Sequence, residues 1–299
     1  MNSQQKPSKD SNIESIYPLS PMQQGMLFHT IFEPTAGMYF QQLICTLEPH
    51  LNVLALEQAW QQVVERHPAL RTIFLWEKRK KPLQVVCKQV NIPWTHYDWR
   101  SLSPLEQQER RGIFLESDRN QGFQLNQAPL MRCTLIHMAD DTYEFVWSHH
   151  HLLIDGWSLS SLIEEVFAFY YALQKGDNLI LKTPPPYQEY ITWLQKQDVK
   201  KAELFWREQL KGKTAPTPLN VGKSQPEIPS LNPLYREQEI FLSVTTTEAL
   251  NALARQQQLT LNNLVQGAWA LLLSRYSGEE DVLFGVTVSG RPPELPGVE

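Results

Sequence analysis

Apolar residues recur along this chain with two periods, and their alternation predicts a mixed α/β protein. Period-two runs rich in β-branched and aromatic residues mark strands at 38–47, 70–76, 83–90, 130–138 and 142–148. Spacings of three and four residues mark amphipathic helices between them. One covers 52–66, with Leu56, Ala59, Trp60 and Val63 on its apolar face, and another covers 104–119. The series Leu159, Leu162, Ile163, Val166, Phe169, Tyr170 and Leu173 predicts a further helix, stopped by Gly176-Asp177-Asn178. Near the start, Ser20 followed by Pro21 is a helix-opening pair. Pro68 ends the second helix, so Arg71 enters the next strand.

Past the stiff Thr183-Pro184-Pro185-Pro186 the helical period resumes at 187–193, 199–210, 245–257 and 261–276. Strands are predicted at 237–244 and, fully buried, at 281–288, with a long loop over 214–233. The proline run sets the expected division: a disordered tail or linker at 1–14, an N-terminal lobe at 15–180 and a second lobe at 181–299.

Composition narrows the class. With 42% hydrophobic and 20% charged residues over 299 positions, the chain has ample material for a globular core. A net charge of −5 argues against nucleic acid or an anionic membrane as main partner, and Glu77-Lys78-Arg79-Lys80-Lys81 reads as a solvated hairpin tip. No run approaches the ~18 apolar residues of a membrane span, and the first 14 residues lack a signal-peptide core, which points to the cytoplasm. Cys45, Cys87 and Cys133 are odd in number and lie in apolar runs, as free thiols of a reducing compartment do.

The chemistry concentrates in Ser148-His149-His150-His151-Leu152-Leu153-Ile154-Asp155-Gly156-Trp157-Ser158. It follows a strand, makes a tight turn at Asp155-Gly156 and opens a helix, whose N-terminus favours developing negative charge. Consecutive strand residues face opposite ways, so at most His149 and His151 share a side, and no Cys or carboxylate completes a metal-ligand spacing. No Gly-x-Ser-x-Gly elbow supports a serine hydrolase. A lone histidine beside a strand is usually a packed residue. Here the whole His-His-x-x-x-Asp-Gly pattern, His150, His151, Asp155 and Gly156, stands out.

That pattern resembles the signature of condensation domains of nonribosomal peptide synthetases and their acyltransferase relatives. Three other strings also resemble that family's motifs, in the same order. They are Leu19-Ser20-Pro21-Met22-Gln23-Gln24-Gly25-Met26, Arg66-His67-Pro68-Ala69-Leu70-Arg71-Thr72-Ile73-Phe74 and Tyr187-Gln188-Glu189-Tyr190-Ile191-Thr192-Trp193. Ser289-Gly290-Arg291-Pro292-Pro293 is also similar. The resemblance implies a chloramphenicol acetyltransferase-like α/β fold of two lobes. Family members continue for roughly half as much again, so the chain is expected to be truncated, with its second lobe partial.

The resemblance further implies amide-bond formation between a donor acyl thioester and an acceptor aminoacyl thioester. Both would hang on phosphopantetheine arms of upstream and downstream carrier domains, beside an adenylation domain, with no metal or directly bound cofactor. His151 would be the catalytic group, as base or positioner, and His150 would point away and pack. Asp155 would pair with Arg291, or second with Arg71, as a buried ion pair whose rupture costs about 3–5 kcal/mol. Gly156 would permit close approach of ligand and backbone. An epimerase is disfavoured by the opening string, and a heterocyclase would carry aspartates in place of His150 and His151. A free-standing acyl-CoA-dependent acyltransferase and a carrier-docking module without activity remain open.

Overall fold

The computed structural model describes residues 12–34, 37–47, 49–219 and 239–298. The chain separates into two compact units, Met1–Gln197 with Ser289–Glu299, and Asp198–Val288.

The first unit holds two sheets. The larger is formed by β2 (Phe40–Leu47), β5 (Trp94–Asp98), β6 (Met131–Ala139) and β7 (Thr142–His150), in the order β2-β7-β6-β5. β7 lies at its centre, antiparallel to β2 and β6, while β5 runs parallel to β6 on the edge. Strand pleating turns Phe145, Trp147 and His149 to one face and Ser148 and His150 to the other. Against the first face packs α2 (Val53–Arg66), where Trp60 meets Trp147 at 4.8 Å and Phe145 at 5.6 Å. Leu162, Val166, Phe169 and Tyr170 of α4 (Gly156–Lys175) join the same core.

The other face carries a polar network instead. Asp118, on α3 (Pro104–Gln121), accepts from Arg132, Gln42 and Ser148 at 2.5–2.7 Å. Those partners stand on β6, β2 and β7, so one buried carboxylate ties three strands to a helix. The Arg132 guanidinium lies 4.5 Å from the centre of the Phe123 ring, which adds a cation–π contact.

The smaller sheet has the order β1-β4-β3, from β1 (Ile13–Pro18), β3 (Thr72–Leu75) and β4 (Leu83–Cys87). β1 corrects the expectation of a disordered tail through residue 14. Ile13 pairs with Cys87, and Glu14 accepts from Arg71 at 2.6 Å. Residues 1–11 lie outside the described part. Arg71 itself closes a short 3₁₀ turn, Pro68–Arg71, where a strand had been expected to begin. Helix α1 (Pro21–Phe32) starts at Ser20, whose hydroxyl and Gln23 form a reciprocal capping box. Helix α5 (Tyr187–Gln195) also belongs to this unit, so the proline run before it lies inside the unit. Its Tyr187, Tyr190 and Ile191 pack with Tyr17 and Val86.

The second unit contains α6 (Val199–Gln209), α7 (Val244–Gln256) and α8 (Leu261–Ser277), the last two opened by Ser243 and Thr260 caps. Two expected strands do not form in it. Residues 239–243 are irregular and Val244 already begins a helix, while 237–238 lie outside the described residues. Residues 281–288 are largely exposed and unladdered: Leu283 N–H donates to Thr217 Oγ1 and the Asp281 carbonyl accepts from Lys213. An apolar run becomes a strand only where another strand takes up its backbone groups, and among the described residues none does so here. Of the cysteines, Cys133 is buried and Cys45 and Cys87 are half-buried, all as free thiols whose pKa is raised by burial. Among the described residues, no helix is long and apolar enough to cross a membrane.

Candidate active site

β7 ends at His150, and a turn over His151–Leu153 carries the chain to α4. The tight turn expected at Asp155-Gly156 is therefore displaced. Asp155 is the N-cap of α4, its Oδ1 accepting from Ser158 N–H at 2.8 Å, and Gly156 is the first helical residue.

The three histidines have three different fates. His149 is buried and lies flat on Trp147, ring centres 4.1 Å apart, and its Nδ1 finds no partner among the described residues. Burial, then the neighbouring His151 and His150, push its pKa down to about 3. His150, 3% exposed, points to the opposite face. Its Nδ1 accepts from Leu152 N–H at 3.1 Å, which leaves the proton on Nε2, 3.3 Å from Thr30 Oγ1. Thr30 passes its own hydrogen to the Met26 carbonyl at 2.8 Å. Each partner thus fixes the neutral Nε2–H tautomer, and burial followed by His151 pushes the pKa down to about 4.

His151 is half-buried, and its backbone N–H donates to the Tyr39 carbonyl at 2.8 Å. Leu152 is clamped on both sides. Its N–H goes to His150, and its carbonyl accepts from the buried Gln23 carboxamide at 3.3 Å. Gln23 is held in turn by Gln84, 1% exposed, which also donates to the Pro18 carbonyl. Leu153 N–H closes the turn on the His150 carbonyl at 3.0 Å.

Removing the His150 ring leaves Leu152 N–H unsatisfied in a buried turn and opens a cavity. We expect His150→Ala to cost about 2–4 kcal/mol in urea unfolding. An unchanged midpoint would show that the ring does not hold the turn.

Arg291 meets Asp155 across 136 residues. Nη1 donates to Oδ2 at 2.8 Å and Nη2 to Oδ1 at 3.1 Å. The same Nη2 reaches Ser158 Oγ at 3.1 Å, and Nε donates to the Val298 carbonyl at 3.0 Å. Burial disfavours the charged form of Asp155. The hydrogen bonds from Arg291 and Ser158 together outweigh it and hold the carboxyl below the ordinary range. Arg71 is not brought to this pair. Buried at 4% exposure, it gives its donors to Glu14 and to the carbonyls of Val64, Cys87 and Lys88. It ties α2 to β1 and to the end of β4 instead.

At Gly156 an added Cβ would meet no heavy atom within 4 Å beyond its chain neighbours and its own helix backbone, so the side-chain position there is open. Among the described residues, no three His, Cys, Asp or Glu side chains group as metal ligands would.

Residue-by-residue reading did not single out Tyr39, Thr30 or Gln84, and it placed Ser158 at the helix start without naming Asp155 as the N-cap. The cap was available, since Asp-x-x-Ser before an apolar helical run is an N-cap signal. Thr30 meets His150 from 120 residues away, Gln84 acts through Gln23 across 61, and Tyr39 reaches the turn through its carbonyl, where periodicity is silent.

Residues 13–299 match the family model of the condensation domain, and the chain belongs to that family. Linear gramicidin synthase subunits D and C of Brevibacillus parabrevis are 47% and 48% identical, each over 97% of this chain. The chain spans only 6% and 4% of their lengths. The first condensation domain of the calcium-dependent antibiotic synthetase, solved with a substrate analogue, superposes with a TM-score of 0.72 at 18% identity, covering 91% of this chain and 64% of that one. The fold is that of condensation domains, related to chloramphenicol acetyltransferase. Such domains form peptide bonds within nonribosomal peptide synthetases.

Proposed function

We propose that this chain joins a donor acyl or peptidyl thioester to the α-amine of an acceptor aminoacyl thioester. The amine nitrogen attacks the thioester carbonyl carbon, a C–N bond forms, and the C–S bond breaks. His151 takes the proton lost by the amine and returns it to the departing thiolate, so that the products are an amide and a free thiol. Both substrates arrive on phosphopantetheine arms of carrier domains, with an adjacent adenylation domain supplying the acceptor, in the cytoplasm.

One observation carries the proposal. Of three adjacent histidines, two are buried and neutral, and the third stands half-exposed on a turn pinned at its own N–H and on both sides of Leu152. Pinning of this kind supplies the placement that a reaction between two tethered groups needs. Asp155 and Arg291 hold the helix start beside it rather than touch the reacting atoms.

The open space at Gly156 gives a separate test. Alanine fits there without a clash and suits a helix, so Gly156→Ala should fold with an unchanged or slightly higher unfolding midpoint. Its methyl group would occupy room the thioester needs, and transfer between loaded carriers should fall about tenfold or more. Native transfer by Gly156→Ala would show that the substrate does not approach this backbone.

A further inference from the structure

Tyr39 stands just before β2 with φ +65°, in the left-handed region that bulky L residues rarely occupy. Strain kept in a folded protein is held there by its surroundings, and such residues cluster at working sites. Glycine adopts this conformation freely, and Gly37 two positions earlier does so at φ +62°. Position 39 nevertheless carries a large aromatic ring.

Two contacts explain what the conformation achieves. It aims the Tyr39 carbonyl at His151 N–H, 2.8 Å away. It also sets the phenol ring parallel to the His151 imidazole, with centres 6.5 Å apart and planes within 6°. That separation and angle fall in the range of offset aromatic pairs. The ring is itself confined, with its centre 6.4 Å from His150, which Thr30 and Leu152 hold in place, and 6.4 Å from His29 on α1. Among the described residues, nothing hydrogen-bonds to the His151 ring. Its backbone is pinned, and among the described residues Tyr39 is the one aromatic ring paired with its imidazole.

We infer that Tyr39 is a positioning residue for His151, its carbonyl anchoring the turn and its ring setting the plane of the imidazole for proton transfer. The inference rests on the reading of His151 as the group that handles the proton. The hydroxyl has no part in it.

Two variants separate ring from backbone. Tyr39→Gly keeps the left-handed backbone at no steric cost and removes the ring, whereas Tyr39→Phe keeps both ring and carbonyl. Two measurements are made on each: NMR of the His151 ring protons, assigned against His151→Ala, and steady-state transfer between loaded carriers. For Tyr39→Gly we expect a native-like unfolding midpoint, shifted and broadened His151 ring signals, and kcat lowered about tenfold or more with KM changed less than about twofold. Tyr39→Phe should restore the native ring signals and bring kcat back to within about threefold of native.

Native signals and native kcat in Tyr39→Gly would overturn the inference. So would a Tyr39→Phe variant as impaired as Tyr39→Gly, which would assign the effect to the hydroxyl. The NMR arm needs no turnover. If the expected signal changes appear while the native protein transfers nothing, the placement of His151 by Tyr39 stands and the amide-forming reading falls.

Discussion

His151→Ala is expected to lower kcat for amide formation by about 10²–10⁴-fold, the range that positioned proton transfer contributes. KM should hardly move, because the imidazole acts on the reacting atoms and not on the remote parts of the tethered substrates. Stability should change by no more than about 1 kcal/mol, since the ring is half-buried and makes no hydrogen bond among the described residues. Steady-state transfer and urea unfolding on the same preparation read the two quantities separately. A loss of less than about tenfold would leave His151 as a bystander, with the pinned backbone and the open helix start supplying the rate.

Asp155→Ala should instead act on folding. It deletes the α4 cap, worth about 1 kcal/mol and up to 2, and the paired hydrogen bonds from Arg291, charge-assisted contacts worth about 1.5–3. A total of about 2–4 kcal/mol is expected. This is below the roughly 3–5 of a fully buried pair, because the Asp155 side chain is 41% exposed and solvent screens what remains. A soluble, fully stable but inactive Asp155→Ala would contradict the structural role.

The pair also predicts a pH dependence. The folded carboxyl is held below its unfolded pKa of about 4, so its contribution is complete above that value and is lost as pH falls through the lower, folded pKa. Asp155→Asn keeps a good cap and removes the charge. Native and Asp155→Asn proteins should therefore differ in unfolding midpoint at pH 7 and converge in acid. A gap as wide at pH 3 as at pH 7 would show that the charge on Asp155 does not matter.

Most of the first unit was legible because its central elements carry apolar residues at clear strand or helix spacing. β7 alternates Phe145 and Trp147 against Ser148, and α2 shows Leu56, Ala59, Trp60 and Val63 at helical spacing. The two missed strands lack that signal. β5 is an edge strand exposed over most of its length, and β1 mixes Glu14 and Ser15 into a short run ending in proline. The opposite error, at 281–288, came from a β-branched run whose composition is strand-like but whose backbone finds no ladder among the described residues.

At the site, the His150–Asp155–Gly156 frame could be read locally, whereas the meeting of Asp155 with Arg291 was expected only from family resemblance. Residue types cannot tell which of several distant arginines reaches a given carboxylate. Here Arg71 was taken by Glu14 and three carbonyls, and Arg291 was brought in by a segment 136 residues away. The clamp of Gln23 and Gln84 on Leu152 was hidden for the same reason, since buried amides pair by geometry and not by spacing.

The most direct measurement follows the mass of two carrier proteins, one loaded with a donor acyl group and one with an aminoacyl group, after mixing with this protein. Intact-protein mass spectrometry reads whether the acceptor arm gains the donor's acyl mass while the donor arm returns to the free thiol. Amide formation at His151 predicts that gain with the native protein and its near-disappearance with His151→Ala. Carriers that bind the native protein while no mass moves between them would contradict it and leave a docking module in its place.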